Sequence, residues 1–592
     1  MKTSLRRLVL LCAFASAFVF GNANAAVKLS EIFDGNYFST DANGRGVSIL
    51  WAPKPNGSGT FFCVVFTYDE NNQPVWLFLQ KDNWLEHEFE RSDVTIYRVT
   101  GGTFDGTWAP NVPVITVVGT ATVRVNSCNS IYFNLDMNDD SGFPDAELGN
   151  LQPVDGSAET CVYQTEFSSC PSEFSTAFGA IPRACQLNNE ILNQDVMLTN
   201  DTTWVLSGLV RVGDFNANSS TLSIEPGTVL IGEGVAADYL YISPGSRIVA
   251  NGTPWAPIVM TSPQDGFSPE FNDPQPGDVG GLVLSGNAPN NACDAANPCR
   301  SEFDETLFYG GDDPFDSSGE ISYWQVRYAG YIFAPNREVN SFTFQSAGSG
   351  TVAHHLQAFR GQDDGVEFFG GTNSVDYMVI TEGGDDAIDW DQGWSGNMQF
   401  ALVVNGEGFG EDFGIEGASN GDNFDLLPRA TPTLSNVTFL GGGNGDSGIL
   451  FKEGSGGRIF NTIVEGYPTG CIEWDNAPAT YDAAGTPETP NTDVSAFNGV
   501  IIDCDIDFVD ASGAPYSVGD FFNSSEFSGN EDTDPMLNGY MPMMGSPALT
   551  GSVNVEETTG NQYFKYTTYR GAFGYMSDWT KSWTHQVTGG DN

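Results

Sequence analysis

Basic residues are scarce in this chain. Its 592 residues include 23 Lys and Arg against 76 Asp and Glu, which gives a formal net charge of −53 at pH 7. Because binding to phosphate backbones requires clustered positive charge, the sequence argues against nucleic acid as a partner, and equally against anionic membrane surfaces. Solvation of an exposed surface explains part of this acidity, but it does not explain acids that recur at a fixed spacing.

Histidine is also rare, and the motifs of several large enzyme classes are missing. The four histidines are scattered and no CxxC pair occurs, so a zinc or haem site is not expected. No phosphate-binding loop, dinucleotide fingerprint or Ser-His-Asp order is present. The chemistry of this chain must therefore rest mainly on carboxylates.

Long apolar runs are confined to the N-terminus. Three basic residues, Lys2, Arg6 and Arg7, come before an apolar stretch. The stretch covers residues 8–20 and is followed by an A-x-A cleavage site at residues 23–25. This arrangement predicts a signal peptide over residues 1–25. Because no later segment has the roughly 18 apolar residues needed to cross a bilayer, we expect an exported protein without a membrane span.

The ten cysteines include one, Cys12, inside the predicted signal peptide. Export makes disulfides plausible. Proximity along the sequence favours three pairs, which are Cys170–Cys185, Cys293–Cys299 and Cys471–Cys504. Cys63 lies in the apolar stretch 61–66 and is expected to be an unpaired, buried thiol.

Two regions with different patterns follow the signal peptide. Residues 26–161 contain short alternating strands separated by polar turns, for example at residues 60–68 and 75–79, and this predicts a small β-sandwich or barrel. Residues 162–187 are predicted to be a linker. The remainder, residues 188–592, is predicted to be a solenoid with a C-terminal cap.

The solenoid prediction rests on a near repeat. Residues 361–368 read GQDDGVEF, and residues 383–390, 22 positions later, read GGDDAIDW. That spacing is typical of one coil of a β-solenoid. Asn436 and Asn461, 25 positions apart, would stack between coils as an asparagine ladder.

Several motifs resemble known families. Residues 44–47 are similar to part of a small β module found in exported gammaproteobacterial proteins. Residues 279–284, 361–372 and 569–574 resemble an exported family of right-handed parallel β-helix (pectin-lyase-like) bacterial surface proteins, over roughly residues 185–584. The resemblance implies an all-β protein with a right-handed single-stranded parallel β-helix behind the N-terminal domain. It also implies a location outside a Gram-negative cell, either secreted or on the outer surface.

Carboxylates recur in the strands of the predicted solenoid. Because side chains alternate along a strand, Glu367, Asp389 and Glu416 should point outward while the apolar residues beside them point inward. Leu450 interrupts this row and Glu473 resumes it. Neighbouring parallel strands lie about 4.8 Å apart. Like charges at that distance repel unless a cation or hydrogen bonds compensate.

Calcium is the cation that best fits such a row, because it accepts about six to eight oxygen ligands in flexible geometry and is abundant outside cells. The aspartates of the preceding turns could add further oxygens. The predicted calcium ligands are Asp363, Asp364, Glu367, Asp385, Asp386, Asp389 and Glu416. The alternative interpretation is a solvated acidic face with aspartates that cap turns.

An enzyme that uses the same face is the alternative function. Residues 384–388 are similar to the Gly-Asp-Asp strand start of polygalacturonase-like glycosidases, although the Gly-His-Gly motif of that family is absent. Asp389 and Glu367 would then be the catalytic carboxyl groups. In a lyase, calcium would neutralise a uronate carboxylate while Lys452 removes the C5 proton. An ion pair between Lys452 and either Glu453 or the acidic row is the simpler interpretation of that lysine.

Aromatic residues near the row could stack on sugar rings. Phe368, Trp390 and Trp474 share the inward parity of the apolar residues, so Trp394, in a loop, is the better candidate. The sequence therefore predicts an exported, calcium-stabilised, two-domain protein. Its acidic face would bind extracellular polysaccharide or another surface component, with a polysaccharide lyase or glycoside hydrolase as the alternative.

Overall fold

The structure is a computed structural model. It describes residues 35–39, 46–53, 58–68, 74–85, 90–100, 114–127, 130–138, 141, 143–153, 170, 174–176, 184–234, 237–265, 274–334, 337–406, 412–443, 445–581, 583–585 and 587. The predicted signal peptide and most of the predicted linker lie outside these residues. Nothing further is said of the segments between them.

The N-terminal region is an antiparallel barrel. Each strand pairs with the next along the chain, and the first pairs with the eighth, which closes the sheet. Of the two predicted architectures, sandwich and barrel, the barrel is therefore the one observed. Its strands are β1 Gly35–Ser39, β2 Gly46–Pro53, β3 Ser58–Tyr68, β4 Pro74–Leu85, β5 Glu90–Thr100, β6 Val114–Ser127, β7 Ser130–Met137 and β8 Ala146–Pro153.

The barrel core follows from the alternation of apolar and polar residues along these strands. Trp51, Phe61 and Trp84 are buried inside it, and their rings lie against one another. Cys63 is free and buried, as predicted, and burial raises the pKa of its thiol far above the usual range. This thiol is therefore unreactive at neutral pH.

The second region is a parallel β-helix whose successive coils pair in parallel. One side is an eleven-stranded sheet, here called sheet I. Its strands are β11 Glu190–Ile191, β14 Leu209–Val212, β17 Tyr239–Ile242, β20 Gly281–Ser285, β26 Phe342–Gln345, β28 Val366–Phe369, β30 Ile388–Asp391, β32 Ile415–Gly417, β34 Ser447–Phe451, β37 Gly470–Trp474 and β42 Phe508–Asp510.

The other strands of the coils form two series that merge. In the first coils they are separate strands, but β23 (Gly319–Arg327) pairs with β18 (Arg247–Asn251) through its first half and with β19 (Ile258–Thr261) through its second half. Short β9 (Ser175–Thr176) pairs antiparallel with β10 (Ala184–Gln186). The strands are β10 Ala184–Gln186, β12 Val196–Leu198, β13 Thr203–Leu206, β15 Thr221–Ile224, β16 Val229–Gly232, β18 Arg247–Asn251, β19 Ile258–Thr261, β23 Gly319–Arg327, β27 Val352–Phe359, β29 Ser374–Thr381, β31 Asn397–Val404, β33 Thr433–Leu440, β35 Arg458–Phe460, β36 Ile463–Glu465, β40 Ala496–Asn498, β41 Ile501–Asp503 and β43 Glu531–Asp532.

Each long strand of the merged series, and the short link between β35 and β36, bends at one residue with a positive φ. These residues stack from coil to coil in a column, here called the corner column. Left-handed backbone is uncommon outside glycine and asparagine, so the column marks a conserved geometry of the bend within this molecule. Its members are Tyr323 (φ 47°), His355 (φ 54°), Tyr377 (φ 56°), Phe400 (φ 62°), Asn436 (φ 57°) and Asn461 (φ 47°).

Few other elements are present among the residues that the structure covers. Four antiparallel hairpins project from the coils, and the helices are short. The hairpins are β21 Cys299–Arg300 with β22 Phe308–Tyr309, β24 Tyr331–Ala334 with β25 Arg337–Val339, β38 Gly485–Thr486 with β39 Thr489–Pro490, and β44 Leu537–Asn538 with β45 Met541–Pro542. The helices are α1 Ala479–Ala484, α2 Val518–Phe522, α3 Val555–Thr559 and a 3-10 turn at Pro547–Leu549. In the described part of the chain, no helix has the length and apolarity required to cross a bilayer.

The three predicted disulfides are present. They are Cys170–Cys185, Cys293–Cys299 and Cys471–Cys504. The first joins the linker to the first coil, and the second closes a small ring within the insertion between β20 and β26. The third connects a sheet I strand to the following coil.

The C-terminal segment, residues 552–585 without 582, packs back against the corner column. Gln399 forms a two-bond pair with the backbone of Lys565, donating to its O at 2.7 Å and accepting from its N at 2.8 Å. Gln357 forms the same pair with His585. Asn461 accepts from Val553 N at 2.7 Å and donates to Val553 O at 2.9 Å. The segment thus satisfies amide groups of successive coils.

Candidate metal and ligand site on the acidic face

Three carboxylates lie side by side on sheet I. The register pairs Glu367 with Asp389 and Asp389 with Glu416. The next positions are Leu450 and then Glu473, which is the interrupted order that strand alternation predicts. The apolar neighbours Val366 and Phe368 are fully buried inside the coil. This row is here called the acidic row.

The turn aspartates accept hydrogen bonds from the backbone of the next coil, in addition to lying beside the acidic row. Asp364 accepts a hydrogen bond from Asp386 N at 3.0 Å. Asp386, one coil later, accepts from Phe413 N at 2.8 Å. Each therefore uses one oxygen to hold the following turn, which is the role that the turn interpretation predicts.

Burial of the acids differs from the expectation of an open, outward row. Asp363, Asp364, Glu367 and Asp386 are exposed by 6%, 6%, 8% and 5%. Alternation does direct the row away from the coil interior, but the insertion between β20 and β26 folds over it. A side chain that faces outward from its strand is therefore not necessarily in water.

The covering insertion brings further acids to the row. Arg337 ties its two parts together by donating to Glu302 O at 3.1 Å and to Phe303 O at 3.0 Å. Glu302 lies close enough to Glu367 and Asp363 to interact with their charges. Glu338, beside Arg337, does the same with Asp363 and Asp385.

Three groups of three acids could each hold a cation. In each group, one oxygen from every member lies within 4.8 Å of the others. Neighbouring groups share a member, first Asp364 and then Asp389. The groups are Asp363 with Asp364 and Asp385, Asp364 with Glu367 and Asp389, and Asp386 with Asp389 and Glu416. The seven predicted ligands are thus all brought together.

Crowding of these acids opposes their ionisation. Burial, with the charges of Asp385 and Glu338, raises the pKa of Asp363 to about 8. Burial and the charge of Asp412 raise the pKa of Asp385 to about 6. Burial, with nearby carboxylates, holds the pKa values of Glu367 and Asp389 well above their usual range. A cation that replaced these protons would therefore remove strong mutual repulsion.

The three carboxylates of the acidic row differ in whether a neighbouring group offsets their negative charge. Asn340 donates to Glu367 Oε2 at 2.5 Å, and Lys452 Nζ lies 2.7 Å from Glu416 Oε1. Between them, Asp389 Oδ1 is buried and has no hydrogen-bond partner in the described structure. Burial lowers the pKa of Lys452, but the charges of Glu416 and Asp389 outweigh it and leave that pKa above its usual value.

Lys452 is therefore placed as the ion-pair interpretation predicts, against the acidic row. Its partner is Glu416. A protonated amine cannot remove a proton, so a base role would require Glu416 to be engaged elsewhere first. Glu473 lies outside the three groups and accepts a hydrogen bond from Ser447 Oγ at 2.6 Å.

Trp394 is not available for stacking on a sugar, which corrects the sequence interpretation. It is fully buried, its ring stacks on Phe368 at 3.8 Å between centroids, and its Nε1 donates to Asn373 O at 3.1 Å. The loop folds into the coil because this large ring fills interior space beside Phe368. Sequence reasoning also missed Glu302, Glu338 and Asn340, which lie in or beside a non-repeating insertion.

The fold and the row together define a class of protein, the parallel β-helix with an acidic face on one sheet. The chain belongs to the family of pectate-lyase-like β-helix domains, whose model matches residues 190–508, more than half of its length. No curated protein shows significant similarity to the chain. The family establishes the β-helix and is compatible with a glycan-related role.

Proposed function

We propose that the acidic row and its turn aspartates bind calcium, and that the bound calcium holds an anionic extracellular polysaccharide on this face. The protein would act outside the cell, secreted or on the outer surface. This proposal is supported by the N-terminal sequence, by the excess of acids and by the family of the β-helix.

The observation that carries the proposal is the state of Asp389. Its neighbours in the row each have a donor, Asn340 for Glu367 and Lys452 for Glu416. Asp389 Oδ1 has none among the described groups although it is buried, and Asp389 belongs to two of the three acid groups. An unpaired buried carboxylate oxygen is costly. A cation between Asp364, Asp389 and their neighbours would remove that cost.

The donor set favours calcium over other common metals. All members of the three groups are carboxylates, with no histidine or cysteine. Zinc and copper prefer nitrogen and sulfur ligands, whereas calcium accepts several carboxylates in irregular geometry. Calcium also leaves positions for further oxygens, including those of a uronate.

Calcium titration of the full-length protein tests the metal site. We expect calcium to raise the melting temperature of the wild type, and Asp389→Asn to abolish most of that increase. Glu473→Gln is the matched control, because Glu473 belongs to the row but to none of the three groups. Equal calcium effects in Asp389→Asn and wild type would contradict the site.

The polysaccharide is tested separately. Polygalacturonate and a neutral glucan are immobilised, and retention of the protein is measured with calcium and with EDTA. We expect retention on the acidic polymer only, and only with calcium. Retention that persists equally in EDTA and in Asp389→Asn would assign binding to another surface.

A lyase is the second candidate, because Lys452 is half-buried beside the row, where calcium that engaged Glu416 would free the amine to lose its proton to water. In that reaction the neutral amine takes the C5 proton, the electron pair forms the C4–C5 double bond and the C4–O glycosidic bond breaks. Its leaving oxygen then takes up a proton. An increase in ultraviolet absorbance of polygalacturonate that is lost in Lys452→Met, but not in Lys581→Met, would favour the lyase. If neither the wild type nor Lys581→Met increases the ultraviolet absorbance, binding remains the proposed function.

A further inference from the structure

The long strands β4 and β5 of the barrel pair along only part of their length. These strands span Pro74–Leu85 and Glu90–Thr100, yet they pair only from Leu77 to Gln80, against Arg98 to Thr95. In contrast, β3 and β4 pair from Ser58 to Tyr68. Beyond Leu77, β4 and β5 diverge, so Val75 and Trp76 are not paired with Val99 and Thr100.

A shallow cavity of about 390 Å³ lies at this divergence. The residues that line it come from the two strands alone, three from each. They are Val75, Trp76 and Phe78 from β4, and Arg98, Val99 and Thr100 from β5. The volume falls at the lower end of ligand pockets and fits one or two sugar rings.

The wall formed by Trp76 presents an aromatic surface to solvent. Trp76 is 60% exposed, and its ring is supported edge-on by Phe66, with ring centroids 6.1 Å apart. Exposure of a large aromatic ring is unfavourable in water unless a ligand covers it. The axial C–H groups of a pyranose form an apolar face that matches an indole ring.

The charge of the cavity is opposite to that of the chain. Arg98 lines it, and the Arg98 guanidinium lies over the ring of Phe143 at 5.2 Å from its centroid. Arg98 forms no ion pair with any carboxylate that the structure describes, whereas Lys81 and Arg91 on the same barrel both contact Asp93. In a chain of net charge −53, a cation that lines the same cavity as an exposed indole, and that has no carboxylate partner among the described residues, favours an anionic ligand.

We propose that the cavity between β4 and β5 binds an acidic sugar, with the pyranose ring against Trp76 and the carboxylate at Arg98. This site is independent of calcium and separate from the acidic row. A purely apolar occupant would leave Arg98 uncompensated, and a neutral sugar would use only half of the cavity. The barrel would then add a second contact to a polymer held by the β-helix.

The test is calorimetric titration of the full-length protein with trigalacturonate in EDTA, which removes the calcium that the acidic row is proposed to require. We expect binding that weakens about tenfold in Trp76→Ala and in Arg98→Gln. Leu50→Ala and Arg124→Gln are the matched controls on the same barrel, and each should bind as the wild type does. Circular dichroism checks that every variant is folded.

The outcomes separate this proposal from the proposed function. Absence of binding in EDTA, or equal binding by all variants, overturns the cavity site without affecting the acidic row. Equal affinity for a neutral trisaccharide overturns the role of Arg98. Calcium-dependent binding that is lost in Asp389→Asn, together with no binding by the wild type in EDTA, supports the row alone and overturns the cavity site.

Discussion

The buried polar groups on two sides of the same coils differ in whether the chain itself supplies their hydrogen-bond partners. At the corner column, Gln357, Gln399 and Asn461 are paired with the backbone of the C-terminal segment. On sheet I, Asp389 Oδ1 is equally enclosed but has no partner in the described structure. Both sides belong to the same coils, and they differ in what the chain supplies to their buried polar groups.

This contrast separates structural polar groups from functional ones. A buried amide that is satisfied by its own chain stabilises the fold and needs nothing else. A buried carboxylate without a partner costs free energy that an external ligand can recover. The acidic row is therefore the side where a ligand is expected, and the corner column is the side that holds the fold together.

Asn461→Ala should have the largest effect, because it breaks the satisfied side. The change removes both bonds to Val553 and places alanine at a φ of 47°. We expect a loss of about 3 kcal/mol in the free energy of unfolding, from two unsatisfied backbone groups and a strained backbone. Denaturant unfolding of the full-length protein measures it.

The control for that variant is Asn193→Ala. Asn193 has a φ of 52° but is exposed, and its side chain donates to Asn218 Oδ1 at 2.8 Å rather than to the C-terminal segment. The control therefore reports the backbone strain, about 1 kcal/mol, together with one exposed hydrogen bond. If both variants lose the same amount, the bonds to the C-terminal segment contribute nothing to stability.

Calcium should stabilise the protein through the acidic row, independently of the corner column. At a concentration one hundred times its dissociation constant, a ligand stabilises a protein by about 2.7 kcal/mol. Among the groups named above, none at the corner column contacts one of the acidic row. Asn461→Ala should therefore gain as much stability from calcium as the wild type does. A markedly smaller gain would show that the two sides are coupled.

Lys452→Met removes the one cation that the described structure places on the row. Glu416 then loses its partner, so the calcium-free protein should lose about 1 to 2 kcal/mol. Calcium should bind more tightly, because the charge that competes for Glu416 is gone. Calcium titration monitored by calorimetry checks the affinity. A lower affinity in Lys452→Met would mean that the lysine assists the site rather than competing with the metal.

Parts of this contrast are predictable from sequence because they depend on local periodicity. The 22-residue spacing and strand parity are enough to align Glu367 with Asp389, and the next coil adds Glu416. Parity also places Asn436 and Asn461 in one column. The partners of those asparagines are not predictable, because Asn461 bonds Val553, 92 positions away.

The cover over the acidic row is a second feature that sequence does not reveal. Glu302 and Glu338 lie in an insertion without a repeat, so no periodic signal relates them to Glu367. The burial of Trp394 is likewise not predictable from the sequence. A loop position suggested exposure, whereas its ring stacks on Phe368 inside the coil.

The pH dependence of stability near and above pH 7 should come mainly from the acidic side, because amides do not titrate and burial lowers the pKa of His355, the histidine of the corner column, to about 3. Asp363 and Asp385 have pKa values of about 8 and about 6, raised by burial and neighbouring carboxylates. Because these values lie above those of the unfolded chain, about 4, the folded state holds more protons in that range. Stability in EDTA should therefore fall as pH rises from about 6.5 to 8. Most of this change should come from the buried Asp363, because Asp385 is exposed and solvent screens its charge.

Calcium should reverse this trend, and the reversal tests the contrast most directly. The metal binds ionised carboxylates, so its affinity rises as the protons leave. With calcium, the melting temperature should therefore stay level or rise over the interval in which it falls with EDTA. Asp389→Asn should lose part of the reversal, because two of the three acid groups are disrupted while the group of Asp363, Asp364 and Asp385 remains. If the wild type shows the same pH curve with calcium as with EDTA, the acids of the row titrate without a metal. The face would then be solvated carboxylate rather than a binding site.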